Sequence, residues 1–260
     1  PTKLAGAVRL AAVENPKNRT VRSVASPSTT QTPFNRARHP QQVRDLTHRI
    51  ETGMQTYPGD PAVTVTQAAT VDRDGYAVER VELGSHTGTH VDAPAHVVPD
   101  GRTLDDCDLD VFVFDAVRVD CRALGAREAI PAALVPTSTD ADCVVFDTGW
   151  ADHWGTPRYR DHPYLAPEAG KACAEAGLAV ATDTLSPDPT PPADTDADAA
   201  AADNDAAAGT GDTADSGNDP EANDHGVPVH EAVLGAGRPI VENLTGLGGL
   251  RRFELHALPV

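Results

Sequence analysis

The chain has 260 residues, and its 39 acidic residues outnumber its 21 lysines and arginines, so the formal net charge at pH 7 is −18. Such a charge disfavours nucleic acid as a partner because phosphates would be repelled, and it suits either an ordinary acidic enzyme or a halophilic protein. No run approaches the roughly eighteen apolar residues of a membrane span, so we expect a cytoplasmic protein with no membrane partner. The four cysteines form no C-x-x-C pair and are expected to be reduced structural thiols.

The chain opens on a segment of mixed polar composition, residues 1–40, with little hydrophobic periodicity. Up to Arg44 there are eight lysines or arginines and a single acid, Glu14, so this end is opposite in sign to the rest. A basic arm can bind an acidic surface, but more often it is a solvated tail. We therefore predict a disordered N-terminal extension over residues 1–40.

Most signals over the next part of the chain are typical of strands. Short apolar runs bounded by Gly, Asp and Pro predict strands at residues 63–65, 78–83, 111–119, 143–146, 178–181 and 240–241. Two helices are predicted, at 167–177, where a proline near the start and a glycine beyond the end mark the limits, and at 229–234. Many strands with few helices indicate an α+β fold or a mixed, barrel-like sheet.

A second irregular segment interrupts these elements. Residues 188–224 carry eleven acids, no lysine or arginine, no aromatic residue and no Val, Ile or Leu. Such a composition cannot bury enough apolar area to offset the entropy lost on ordering. We therefore predict a disordered acidic insertion over residues 188–225. It divides a catalytic domain formed by residues 41–187 and 226–260.

The densest chemical signal is the segment 84–96, G-S-H-T-G-T-H-V-D-A-P-A-H. It holds His86, His90, Asp92 and His96, all at even positions, so an extended backbone would place the four side chains on one face. The intervening glycine and proline disfavour a helix. Imidazole and carboxylate together suit Zn²⁺, Mn²⁺ or Fe²⁺. The segment therefore predicts a metal site on a strand end that runs into a loop; the alternative is three surface histidines and a turn aspartate.

Residues 86–96 resemble the H-x-G-T-H-x-D-x-P-x-H signature of the metal-dependent cyclase-like hydrolases, a family that includes bacterial kynurenine formamidases. Further segments look like parts of the same family: D-L-T-H at 45–48, Y-P-G-D at 57–60, D-T-G-W at 147–150, D-T-L-S-P-D at 183–188, V-H at 229–230 and I-V-E-N-L at 240–244. The resemblance implies an α/β fold, a single domain of the swivelling β/β/α type with a mixed, strand-rich core. It also implies a homodimer or larger homo-oligomer.

The resemblance further implies a centre of two divalent ions, zinc or manganese. His86, His90 and Asp92 would bind the first ion, and Asp92 would bridge to the second. The second ion would be completed by His230 and Glu242. Without the resemblance, His230 would be a surface or capping histidine and Glu242 a solvated strand end. The family pattern makes His96 the general acid/base rather than a ligand.

The implied activity is that of an arylformamidase. Such an enzyme hydrolyses N-formyl-L-kynurenine to formate and L-kynurenine in tryptophan catabolism. Two alternatives remain open: hydrolysis of another cyclic amide or lactone such as an isatin-like ring, and a metal-stabilised binding protein without turnover. Tyr57 and Trp150 are candidates for a wall that binds the substrate ring, since aromatic residues are scarce. On that hypothesis, Trp150→Ala raises KM and leaves the metal content intact.

Overall fold

The computed structural model describes residues 5–7, 11–14, 43–191 and 226–259. Nine strands form the main sheet: β1 (Ala5–Ala7), β2 (Ala11–Glu14), β3 (Val43–Asp45), β6 (His90–Asp92), β7 (Val113–Asp120), β9 (Cys143–Asp147), β11 (Ala179–Thr182), β12 (Ile240–Glu242) and β13 (Arg252–His256). Two small sheets pair β4 (Thr64–Ala69) with β5 (Val78–Glu82) and β8 (Ala129–Ile130) with β10 (Tyr164–Leu165). The α-helices in these ranges are α1 (Val71–Asp74), α2 (Pro167–Glu175) and α3 (Pro228–Gly235).

The main sheet is mixed, with a parallel centre and antiparallel sides. Its strand order is β1-β6-β12-β11-β9-β7-β13-β2-β3. Strands β12, β11, β9 and β7 run parallel to one another, while β6 and β13 join them in antiparallel pairs. All residues of β9, β11 and β12 are buried. Burial of both faces explains why these segments have continuous apolar runs rather than alternating ones.

Side chains on the two faces of the sheet enter two different cores. Val145 of β9 belongs to a core to which nearly every strand of the main sheet contributes side chains. The sheet curls around this core. Its neighbours Val144 and Phe146 point the other way and pack under α2 and α3. These helices lie close together because Gly170 of α2 has no side chain, and an added Cβ would come within 3.0 Å of Val229 Cα.

The predicted fold class is confirmed: the structure is a mixed α/β fold with many strands and few helices. The helix predicted at 167–177 is α2, and Gly177 follows it with φ +69°. The strand predicted from 111 begins at Val113, since the preceding residues Leu109–Phe112 form a 3-10 turn. None of the four cysteines is in a disulfide, and three of them are buried. No helix in the described ranges has the length and apolarity to cross a membrane.

The expectation of a disordered extension over residues 1–40 differs from the structure at two places. β1 pairs with β6, and β2 lies between β13 and β3. Both strands pair with backbone N–H and C=O groups of neighbouring strands that would otherwise lack partners at a sheet edge. Their short sequences, AGA and AAVE, contain mostly Ala and Gly, which have low strand propensity. The rest of the predicted extension lies outside the described residues.

Candidate metal centre

Two antiparallel strands place the first part of the site. His90 of β6 lies opposite Glu242 of β12 in the ladder, and Asp92 lies opposite Ile240. Because side chains two residues apart on a strand share a face, His90 and Asp92 point to the same side. Both are buried, at 1% and 0% exposed. The register of this pair of strands therefore brings the segment 90–92 and the distant Glu242 together.

The remaining histidines of the predicted site come from a loop, a turn and a helix. His86 lies in the loop before β6. His96 ends a 3-10 turn, Pro94–His96, rather than continuing the strand. His230 lies in the first turn of α3 and is 4% exposed. The predicted strand end that runs into a loop corresponds to β6 and the turn after it. Only residues 90–92 are extended, because proline at 94 favours the first position of a turn.

These side chains form one compact cluster of nitrogen and oxygen atoms. His86 Nδ1 lies 3.2 Å from His90 Nε2 and 3.0 Å from Asp92 Oδ1. His90 Nε2 lies 3.4 Å from Asp92 Oδ1 and 3.3 Å from Glu242 Oε2. His230 Nε2 closes the other side, 3.2 Å from Glu242 Oε1 and 3.7 Å from Asp92 Oδ2. Asp92 is therefore central, with one oxygen towards His86 and His90 and the other towards His230.

The carboxylates of this cluster lack hydrogen bonds of their own. Both oxygens of Asp92 and Oε1 of Glu242 are buried and accept no hydrogen bond from the described residues. A buried carboxylate oxygen without a partner is costly unless a cation takes that place. Ligand atoms of His90, Asp92 and Glu242 lie within 4.8 Å of one another, close enough to surround divalent ions. This set of donors fits a divalent metal ion.

Positive and negative charges within the cluster stabilise one another against burial. Burial opposes a proton on His90, but the neighbouring Asp92 and Glu242 outweigh burial and raise the pKa of His90 to about 9. Burial likewise opposes charge on Asp92, but His90 holds the pKa of that carboxyl well below its usual range. An incoming cation must therefore displace the proton of His90, so metal binding releases a proton.

Two of the histidines are oriented by hydrogen bonds on the side away from the cluster. His90 Nδ1 lies 2.9 Å from the carbonyl oxygen of Gly88. Gly88 has φ +59°, and a Cβ there would come within 3.0 Å of the side chain of Met54, so glycine suits this turn. His230 Nδ1 lies 2.7 Å from Asp188 Oδ2. In both rings Nδ1 donates outward and Nε2 faces the cluster, which is how metal-ligating histidines are held.

His96 lies beside the cluster with two possible roles. Its ring centroid is 4.0 Å from that of His86 and 5.5 Å from that of His230. Burial lowers the pKa of His96 to about 4, so the imidazole is neutral near pH 7. It also forms a possible ligand group with His86 and Asp92. The geometry brings His96 into the site and admits both the acid/base role predicted from the sequence and direct ligation.

A cavity of about 310 Å³ opens in front of the cluster. Beyond the histidines and Glu242, its wall includes Tyr57, Asp60, Val97, Leu185, Ser186 and Val227. Tyr57 thus lies where the sequence analysis expected it. Burial raises the pKa of its phenol, so the ring offers a neutral, partly polar surface. The cavity has room for a small aromatic substrate.

Trp150 does not line this cavity, which corrects the expectation that it forms the ring-binding wall. It is 4% exposed, packs with Tyr159 and Leu185, and its indole Nε1 donates to Arg158 O at 3.2 Å. Leu185 of that cluster and Tyr57, which packs against it, reach the cavity. Trp150 therefore supports the wall from behind.

Trp150→Ala is consequently expected to act on stability first. Loss of a buried Trp leaves a large void, so the free energy of unfolding should fall by about 3–5 kcal/mol. Urea unfolding of the variant measures this loss. An unchanged free energy of unfolding with a raised KM would restore the original interpretation.

The structure adds two carboxylates that the sequence analysis did not assign to the site. Asp60 of the Y-P-G-D segment reaches the cavity wall. Asp188, placed by composition at the start of the acidic insertion, is 1% exposed and holds His230. Residues 188–191 therefore belong to the folded body, while 192–225 lie outside the described residues. The D-T-L-S-P-D segment was the only signal for Asp188, and it carried no assigned role.

Sequence comparisons relate the chain to one family of proteins. The family model described as putative cyclase matches residues 44–189. A kynurenine formamidase of Salinibacter ruber is 33% identical over 228 residues, which cover 83% of this chain and 89% of that relative. A kynurenine formamidase of Erythrobacter litoralis is 29% identical over 154 residues, 57% of this chain and 68% of the relative.

Solved structures with the same fold agree with this relationship. Isatin hydrolase A from Labrenzia aggregata, bound to benzyl benzoate, superposes with a TM-score of 0.61 at 20% identity, covering 84% of this chain and 87% of that one. A structure described as a potential metal-dependent hydrolase with cyclase activity gives 0.56 at 19% identity, covering 84% and 95%. At these identities the likeness concerns the fold.

Proposed function

Because the chain belongs to the putative cyclase family, we propose that it hydrolyses the formamide bond of N-formyl-L-kynurenine to formate and L-kynurenine. The family confirms the resemblance read from residues 86–96. The chain is a cyclase-family hydrolase acting on amide bonds. The relatives named kynurenine formamidase support this particular substrate. The match to the Salinibacter ruber relative covers 89% of that protein, so the similarity spans most of its length.

One observation supports the hydrolytic mechanism above the others. Oxygens of Asp92 and Glu242 that accept no hydrogen bond from the described residues face three imidazoles beside an open cavity. We propose that two ions, Zn²⁺ or Mn²⁺, would bind there with Asp92 among their ligands. His86 and His90 would hold one ion, and His230 and Glu242 the other. When bound, the ions supply the positive charge that lowers the pKa of water and polarises an amide carbonyl.

His96 is the group we propose for proton transfer. Its imidazole stands at the rim of the cluster and lines the cavity. Its pKa is lowered to about 4, chiefly by burial, so the imidazole is uncharged at neutral pH and has a free nitrogen lone pair for the proton of attacking water. It can then deliver that proton to the leaving nitrogen of the aniline, so that the departing amine leaves neutral.

Asp60 favours an amino-acid substrate within this class. Its carboxylate is half-buried on the cavity wall, where burial raises its pKa and the nearby His86 and His90 lower it. N-formyl-L-kynurenine carries an ammonium group at the end opposite the formamide. As a carboxylate on the cavity wall, Asp60 would pair with that ammonium. The apolar wall formed by Val97, Leu185 and Val227 would hold the ring.

An isatin-like cyclic amide is the second candidate substrate. Isatin hydrolases share the fold, and the same apolar wall would accept a flat bicyclic ring. Such a ring is neutral and has no ammonium for Asp60, so the carboxylate would gain no partner. The two candidates therefore differ in whether substrate binding depends on Asp60.

Release of kynurenine from N-formyl-L-kynurenine tests the proposal. Purified protein is stripped with EDTA, reloaded with Zn²⁺ or Mn²⁺, and assayed with and without molar KCl. We expect turnover that EDTA abolishes and that reloading restores. A folded, metal-loaded protein that leaves this substrate intact but opens isatin would support the second candidate. No turnover of either would favour a metal-stabilised binding protein.

The role of Asp60 gives a sharper discrimination. Asp60→Asn is expected to raise KM for N-formyl-L-kynurenine about tenfold or more, since a hydrogen bond to a charged group contributes about 1.5–3 kcal/mol. KM for 2-formamidoacetophenone, the same aryl formamide without the amino-acid end, should change little. Asp72→Asn removes the same charge from the exposed helix α1 and serves as the control. Equal effects on the two substrates would contradict an ammonium-binding role.

A further inference from the structure

One buried carboxylate binds the start of α3 through three hydrogen bonds. Oδ2 of Asp188 accepts from His230 Nδ1 at 2.7 Å and from the His230 backbone N–H at 3.0 Å. Oδ1 accepts from the Val229 backbone N–H at 2.9 Å. Backbone N–H groups in the first turn of a helix have no partner within the helix. The carboxylate therefore caps α3 and holds the imidazole at the same time.

The opposite nitrogen of the same ring faces the metal centre. His230 Nε2 lies 3.2 Å from Glu242 Oε1 and 3.7 Å from Asp92 Oδ2. Because Nδ1 donates its proton to Asp188, the lone pair needed for ligation is on Nε2 once the ring is singly protonated. The two backbone hydrogen bonds fix the carboxylate to the same helix turn as the ring. Rotation of the imidazole away from the centre would break the bond to Nδ1.

The geometry assigns Asp188 as a positioning residue: we propose that its carboxylate orients His230 and strengthens the binding of the ion held by His230 and Glu242. This inference rests on the proposed two-ion function. Asp188 does not line the cavity, and within the described residues its carboxylate accepts hydrogen bonds from Val229 and His230 alone. Its effect on the centre is therefore exerted through His230.

The two halves of the centre differ in this respect. His90 is held by the neutral carbonyl of Gly88, whereas His230 is held by an anionic carboxylate. A carboxylate makes the ligating nitrogen more basic than a carbonyl does. Loss of the charge on Asp188 should consequently weaken one ion and spare the other. A residue that only stabilised the fold as a whole would weaken both ions or neither.

Metal titration of the full chain tests the proposal. Apo protein is titrated with Zn²⁺ in competition with a chromophoric chelator. Wild type is expected to bind two ions. Asp188→Asn keeps the size of the side chain but has one acceptor oxygen and no charge. We expect this variant to bind one ion as tightly as wild type does. It should bind the second ion about 10–100-fold more weakly, which is the usual loss of metal affinity when a ligating histidine loses its hydrogen-bond partner.

Asp183→Asn is the matched control. Asp183 is also 1% exposed, and its Oδ1 accepts from the backbone N–H and hydroxyl of Thr148 at 2.9 and 2.6 Å. Its loss should lower thermal stability yet leave both ion affinities unchanged. If Asp188→Asn does not fold, Asp188→Glu keeps the charge but displaces the carboxylate, and the same selective weakening is expected.

Three results would overturn the proposal. The first is that Asp188→Asn keeps the wild-type affinity for both ions. The second is that the control Asp183→Asn weakens binding of the same ion as much as Asp188→Asn does. In either case wild type would still bind two ions and hydrolyse its substrate. Wild-type protein that bound no divalent ion would instead overturn the proposed function together with this inference. The titration of wild type thus separates the two failures.

Discussion

Asp92→Asn is expected to abolish binding of divalent ions and to lower kcat/KM by at least about a thousand-fold. The carboxylate is the only group in the described cluster that lies within 4 Å of His86, His90 and His230 together. Asparagine offers one neutral oxygen in place of two charged ones. The ions supply several kcal/mol of stabilisation to a developing oxyanion, and about 4 kcal/mol corresponds to the factor of a thousand.

Thermal unfolding with and without added Zn²⁺ gives a second readout for this variant. An ion that binds only the folded protein stabilises it by about 4 kcal/mol at a thousand times Kd. We expect the Tm of wild type to rise with Zn²⁺ and the Tm of Asp92→Asn to stay constant. Asp183→Asn, another buried carboxylate variant, should still respond to Zn²⁺. A wild-type response in Asp92→Asn would remove Asp92 from the centre.

His96→Ala should separate chemistry from ion binding. If His96 transfers protons, kcat falls by about 10²–10⁴, the usual contribution of general acid–base catalysis, while both ions stay bound. Elemental analysis of the dialysed variant alongside its kcat distinguishes the two roles, since lost turnover together with a lost ion would make His96 a ligand. That second outcome has a structural basis, because His96 forms a possible ligand group with His86 and Asp92.

His256→Ala is the control for the loss of an imidazole. His256 lies on β13 and pairs with Glu254 at 2.6 Å, and it is not among the residues that line the cavity. The variant should keep both turnover and ion content. A comparable fall in kcat for this control would mean that the loss in His96→Ala arises from general destabilisation.

How far the site could be predicted depends on distance along the chain. His86, His90, Asp92 and His96 fall within eleven residues, so their residue types and spacing were enough to indicate a metal site. Glu242 is brought to His90 by strand register, which local sequence does not encode. His230 and Glu242 were therefore reached only through family resemblance, and their roles as ligands remain predictions.

Asp188, two strands and Trp150 differ from the sequence-based predictions because contacts with distant parts of the chain determine their places. Composition averaged over the acidic segment assigned Asp188 to a solvated insertion, although three hydrogen bonds bury it. Strands β1 and β2 consist mostly of small residues with little strand propensity, and pairing with β6 and β13 determines their conformation. Trp150 looked like a binding residue because aromatic residues are scarce, but scarcity does not distinguish a core position from a cavity wall.

The ladder between β6 and β12 has a consequence for how the protein acquires its metal. It sets the separation of His90 and Glu242 through backbone hydrogen bonds. We therefore expect the polypeptide to fold before metallation, unlike small zinc domains that need the ion to fold. Affinity for divalent ions then follows the Irving–Williams order, whichever ion supports catalysis. The metal in a purified sample should therefore reflect this order of affinity together with the supply in the growth medium. Identifying the physiological ion requires stripping and reloading, rather than analysis of the protein as isolated.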